Sequence, residues 1–69
     1  MSDLKITLAA ARVNARLTQA EVARNLKVSN KTINNWENGK TEPTYATLCM
    51  LASMYQVPID AILLPKTAT

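Results

Sequence analysis

Between Thr18 and Gly39 the chain leaves room for two short helices and almost nothing to join them. Thr18-Gln19-Ala20-Glu21 is a capping box: the Thr18 hydroxyl can accept from a first-turn N–H while the Glu21 carboxylate reaches back. It opens a short helix whose inward residues are Val22, Ala23 and Leu26. Lys27 and Val28 make a tight connection, and Ser29 is a good N-cap for the next helix. That helix runs to about Asn38 and stops at Gly39, the only glycine, placed where a left-handed C-cap is wanted.

The flanks read as further short helices. Leu8, Ala11, Arg12 and Ala15 fall on one stripe and predict a helix from roughly Lys5 to Arg16. After Glu42-Pro43, Thr44 caps a helix over 45–55 with Leu48, Leu51, Ala52 and Tyr55 inward. Val57-Pro58 separates it from a last short helix, Ile59 to Leu64, and residues 65–69 read as a frayed tail. Residues 1–69 thus make one all-α domain of five helices, with C-terminal helices spanning 45–64.

A chain of 69 residues buries a modest core and often needs a staple. Cys49 is the only cysteine, so no internal disulfide forms, and without histidine a lone thiol makes no zinc site. The expectation is no cofactor and no metal, which leaves tight packing, a partner subunit, or both. Catalysis is not expected: the sequence holds no phosphate-cradling glycine loop, no catalytic carboxylate pair, and no base to activate Cys49. No apolar run approaches the roughly 20 residues of a membrane span. The N-terminus lacks the pattern of a signal peptide, so a soluble, cytoplasmic protein is expected.

Net charge is +3, unevenly spread. Arg12, Arg16, Arg24, Lys27, Lys31 and Lys40 face only Glu21 and Glu37 over that stretch, whereas from Thr41 onward Lys66 stands against Glu42 and Asp60. The positive field belongs to the first two thirds, as suits contact with phosphate, although a solvated basic face would look the same. At about 3.6 residues per turn, the third helix has two faces. Ile33, Trp36 and Glu37 fall on one side, with Trp36 read as core; Asn30, Lys31, Asn34, Asn35 and Asn38 fall on the other. Asparagine is a poor helix former, so amides serve this face for contact better than for solubility. An Asn amide can donate and accept at once and so pair with adenine; lysine donates to guanine or to phosphate.

Several segments together resemble the Cro/repressor-type, or XRE, helix-turn-helix family. They are Leu17-Thr18-Gln19-Ala20-Glu21-Val22-Ala23, Val28-Ser29, Ile33-Asn34-Asn35-Trp36-Glu37-Asn38-Gly39-Lys40, Pro43-Thr44 and Leu48-x-x-Leu51-Ala52. The likeness runs from about Leu8 to Leu64 and implies a lambda-repressor-like fold. It also implies sequence-specific binding of double-stranded DNA by a transcriptional regulator, with repression the expected mode and the 29–38 helix in the major groove. By resemblance, Gln19 holds a phosphate through its side chain and backbone N–H, as also suits a helix N-terminus. Asn30, Lys31 and Asn35 match base-reading positions, Ser29 and Asn34 match neighbours that touch backbone or edge bases, and Asn38 and Lys40 match phosphate contacts. Arg12 and Glu37 match a structural ion pair between the first and third helices. There are two departures. Lys27 stands where the family often has glycine, at a cost of roughly 1–2 kcal/mol if it turns left-handed. Pro58 replaces a side-chain cap.

With Leu48, Leu51, Ala52, Val57, Ile59 and Leu63 placed inside, Met50, Met54, Ala61, Ile62 and Leu64 are surplus to the core. Met50, Met54, Ile62 and Leu64 are therefore expected at a homodimer contact, matched to an inverted-repeat operator. No small-molecule ligand is evident. The alternative is a protein-interaction module of the same fold, such as an antitoxin or adaptor, for which anchoring aromatic or aliphatic residues would be wanted on the third helix.

Overall fold

Four hydroxyl side chains start four helices. The computed structural model describes residues 5–65 and places α1 at Leu8–Asn14, α2 at Gln19–Leu26, α3 at Asn30–Asn38 and α4 at Tyr45–Tyr55. Thr7, Thr18, Ser29 and Thr44 sit in extended conformation just before them, and each side-chain oxygen accepts from the backbone N–H three residues on. The distances are 3.1 to 3.2 Å. At Thr18 the box closes both ways, because the Thr18 N–H donates to Glu21 Oε1 at 2.8 Å. These bonds satisfy donors that a helix start would otherwise leave bare.

The helix ends are equally uniform. The N–H of the second residue beyond each turn returns to a carbonyl five residues back: Leu17 to Arg12, Val28 to Ala23, Lys40 to Asn35 and Val57 to Ala52, at 2.9 to 3.2 Å. This closure needs a left-handed residue. Gly39 supplies it after α3 at φ 78°, but Arg16, Lys27 and Gln56 supply it elsewhere at φ 63°, 61° and 58°. Lys27, where the family often has glycine, does turn left-handed. Leu17, Val28 and Val57, just past these turns, pack against the core, and that burial offsets the strain.

The core gathers Leu8 and Ala11 of α1, Val22 and Ala23 of α2, Ile33 and Trp36 of α3, and Leu51 and Tyr55 of α4. Two short strands complete the fold. Ile6–Thr7, β1, pairs in parallel with Ile62–Leu63, β2, in the register Ile6 to Ile62 and Thr7 to Leu63. The strands bring the two ends of the described chain together, and Lys5 Nζ donates to the Asp60 carbonyl at 2.8 Å.

Two expectations are corrected here. The first helix starts at Leu8 instead of Lys5, because Thr7 is its cap and β-branched Ile6 and Thr7 are spent on a strand. The fifth helix is a single 3-10 turn, Ile59–Ala61, that gives way to β2. Pro58 offers no side-chain cap, and so short a segment cannot repay helix nucleation. The domain is thus mostly helical, with four α-helices, one 3-10 turn and a two-strand pair among the described residues. The expected limits of 1–69, and most of the tail at 65–69, fall outside them.

The change from helix to strand also reverses which side chains face inward. On a strand neighbours alternate. Ile62 and Leu64 pack against the core, while Leu63, expected inside, is 51% exposed. Met54 also packs against the core, and Met50 is 52% exposed. Of the four residues expected at a homodimer contact, Met50 alone is exposed.

A left-handed non-glycine residue costs roughly 1–2 kcal/mol, part of which glycine returns as extra chain entropy on unfolding. Gln56→Gly is therefore expected to raise unfolding stability by up to about 1 kcal/mol. Urea denaturation checks it; a loss of stability would mean that the Gln56 side chain makes a contact worth more than the strain.

Candidate nucleic-acid interface

Helices α2 and α3 meet through Lys27, Val28 and Ser29 alone. Val28 is tucked against the core, and the Ser29 hydroxyl both caps Thr32 N–H and lies 3.0 Å from the Thr32 hydroxyl. The turn has no slack, so the orientation of α3 follows from that of α2. Ile33 and Trp36 fix the inner face of α3 in the core. Asn30, Lys31, Asn34 and Asn38 emerge exposed on the outer face, and Asn35 is half-buried. Asn30, Asn34 and Asn38 are spaced four residues apart, so they form one column along the helix.

A second restraint comes from α1. Arg12 Nε lies 2.7 Å from Glu37 Oε2 and Nη2 lies 3.3 Å from Oε1, a two-pronged pair, while Nη1 donates to the Leu17 carbonyl at 2.9 Å. The side chains are 15% and 7% exposed. The hydrogen bond to Glu37 raises the Arg12 pKa further, with the carboxylate charge adding and desolvation opposing. Tyr55 closes this group from α4. Burial pushes its phenol up to about 12; the Glu37 charge adds to the shift and Arg12 opposes it.

Gln19, the first residue of α2, completes the network. Its Nε2 donates to Glu37 Oε1 at 3.0 Å and to Asn34 Oδ1 at 3.4 Å. Both side-chain donors are thus committed within the protein. The phosphate contact implied for Gln19 has only its backbone N–H free of this network as a donor. Nearby, the backbone N–H and hydroxyl of Thr18 hold the Glu21 carboxyl below the usual range. Residue pattern alone missed the link from Gln19 to Asn34, which spans two helices; no local signal announces it.

The exposed charges suit an anionic partner. Arg16, Arg24, Lys27, Lys31 and Lys40 are all exposed, with Lys40 in the bend after Gly39. On α4, Tyr45, Ala46, Cys49 and Met50 are exposed and no residue of the helix carries a charge, and Val13 and Leu63 add exposed apolar side chains elsewhere. Among the described residues no cluster of His, Cys, Asp or Glu could hold a metal, and no helix is long and apolar enough to cross a membrane.

Removing one member of a buried pair strands the other. Glu37→Ala leaves the Arg12 guanidinium with only the Leu17 carbonyl and releases Gln19. Such changes cost about 3–5 kcal/mol when solvent is excluded; with Arg12 still 15% exposed, the lower end is expected. Thermal and urea unfolding measure it, and an unchanged transition would mean that water already screens the pair.

The geometry of two short helices, a turn without slack and an amide-rich outer face has a counterpart among known families. A helix-turn-helix family model matches residues 8–62. No curated protein and no solved structure matches the chain. The matched stretch takes in every helix and the 3-10 turn, and the family is a DNA-binding one with no enzymatic activity. The chain therefore belongs to the Cro/repressor-type helix-turn-helix family, and it is a DNA-binding domain.

Proposed function

We propose that the protein is a sequence-specific transcriptional regulator that lays α3 in the major groove of duplex DNA and acts as a symmetric dimer. By occupying its site it works as a repressor inside the cell. The observation that carries this reading is the outer face of α3, where Asn30, Lys31, Asn34 and Asn38 stand exposed with no acid among them. Donors and acceptors of this kind match base edges, and lysine matches guanine or phosphate. Asn35, being half-buried, reaches a base only at the rim of the contact. The N-terminus of α2 and the exposed Lys27 and Lys40 supply the phosphate contacts that hold the domain in register. Ser29 is spent on capping Thr32, so its part is to seat the helix. An interaction module that binds only protein would want apolar anchors on this face, and it offers none.

The mutations that test this separate reading from holding. Lys31→Ala and Asn30→Ala are expected to relax preference at one or two base pairs, by roughly 1–3 kcal/mol for a bidentate contact. Lys40→Ala is expected to weaken all sites alike and to reduce the slope of log K against log salt by about 0.9. Selection from a random duplex library, followed by salt titrations on the winning site, measures both. Equal, sequence-independent losses from all three changes would remove α3 from the groove.

One recognition helix reads few base pairs against a genome of competitors. A two-fold dimer doubles the site and sets half-sites about 34–36 Å apart on an inverted repeat. The exposed apolar residues outside α3 support a contact through the C-terminal third. Met50 and Leu63 are its open members, and Met54, Ile62 and Leu64 back it from the core side. Met50→Glu is expected to leave the subunit folded, abolish dimers in sedimentation, and weaken operator binding in a gel shift. A variant that still binds as two copies would place the contact elsewhere.

A further inference from the structure

The exposed members of the outer face of α3 are Asn30, Lys31, Asn34 and Asn38: three amides and one ammonium, with no guanidinium, acid or methyl group among them. Asn30 and Asn34 lie in one column, about 6 Å apart along the axis. Their side chains have the same short reach, so base edges at one depth can meet both. Asn34 Oδ1 accepts from Gln19 at 3.4 Å, which leaves it a second lone pair and both Nδ2 protons. An amide thus offers one acceptor and one donor side by side. In the major groove only adenine answers both, with its N6 proton and N7. Guanine shows two acceptors, cytosine a donor alone, and thymine an acceptor and a methyl group.

We infer that Asn30 and Asn34 each read the N6 amino group of an adenine, and that methylating those amino groups switches binding off. This rests on the placement of α3 in the major groove proposed above. One N6 proton of a paired adenine is held by thymine; the other points into the major groove, where an asparagine oxygen accepts it. A methyl group on N6 cannot take the pairing side without breaking the base pair, so it takes the groove side. The asparagine oxygen then loses its donor and faces a methyl carbon, which also crowds N7. Lys31 is the one other exposed side chain of this face that is not an amide, and it donates only. Nothing on the face therefore replaces the lost contacts, and an operator bearing N6-methyladenine at the read positions is refused.

The test first finds the two positions and then alters single atoms there. Duplexes are selected from a random library by the unaltered protein, by Asn30→Ala and by Asn34→Ala. The base pair whose preference each change erases is the one that side chain reads, and adenine is expected at both. The selected duplex is then made with N6-methyladenine at one read position, with 7-deazaadenine there, which lacks the N7 acceptor, or with N6-methyladenine outside the contacted pairs. A methyl at a read position is expected to weaken binding roughly tenfold, the worth of a bidentate contact. Loss of N7 is expected to cost roughly fivefold, the worth of one hydrogen bond, and the outlying methyl nothing. Asn30→Ala is expected to ignore the methyl at its own position and still respond at the position of Asn34, and Asn34→Ala the reverse. Another base at either position, a motif that neither change alters, or full binding to the methylated duplex would overturn the inference. So would an Ala variant that feels the methyl at its own position as strongly as the unaltered protein, since methylation would then act through the shape of the duplex. A library that yields no motif at all would instead sink the regulator reading, and this inference with it.

Discussion

A charge on the apolar stripe of α1 is tolerable only because a carboxylate on α3 meets it. Arg12 and Glu37 lie on helices that are otherwise joined by apolar contact alone, and their two-pronged bond at 2.7 and 3.3 Å adds a direction that packing does not have. Ion pairs this well covered do little for net stability compared with an apolar pair of the same size, because both charges must leave water. What they supply is angle. The same guanidinium holds the Leu17 carbonyl, at the turn into α2, and the same carboxylate holds Gln19 at the start of α2. One arginine thereby ties together the three helices whose mutual angles decide how the outer face of α3 is presented.

The rest of the molecule serves to keep that arrangement in a small chain with a single cysteine. Each helix begins on a Ser or Thr cap and ends on a left-handed residue, so few backbone groups at the helix ends are left to water. The parallel pairing of Ile6–Thr7 with Ile62–Leu63 fastens the start of α1 to the end of the chain that follows α4. Strain accepted at Arg16, Lys27 and Gln56 lets the links that hold them stay three or four residues long, and short links fix helix directions. The exposed basic side chains from Arg16 to Lys40 precede α4, a helix that carries no charge.

Much of this was legible in the residues themselves because capping is local. Thr18 with Glu21, Ser29, Thr44 and Gly39 announce their helix ends within a few positions, and the structure places them where they were expected. The Cro/repressor-type resemblance added the Arg12–Glu37 pair, which no local pattern specifies since the partners lie on different helices. The segments at 6–7 and 59–64 were not legible, for the opposite reason. Ile59–Leu64 carries an apolar run that periodicity alone cannot assign to helix or strand, and its state is settled by pairing with Ile6–Thr7, distant in sequence. That error then propagated to the side chains: Leu63 turned out to be exposed, and Ile62 and Leu64 belong against the core. The link from Gln19 to Asn34 was hidden because two amides can bond in either sense; only the fixed polarity of the ion pair makes it one-way.

The central claim is that α3 enters the major groove, and methylation interference on the selected duplex tests it most directly. Methyl groups placed on guanine N7 block the major groove, whereas those on adenine N3 block the minor groove. The account predicts that guanine methylation prevents binding in two clusters about one helical turn, 34–36 Å, apart, and that adenine methylation between them is without effect. Interference from adenine methylation alone, or none from guanine methylation, would contradict it.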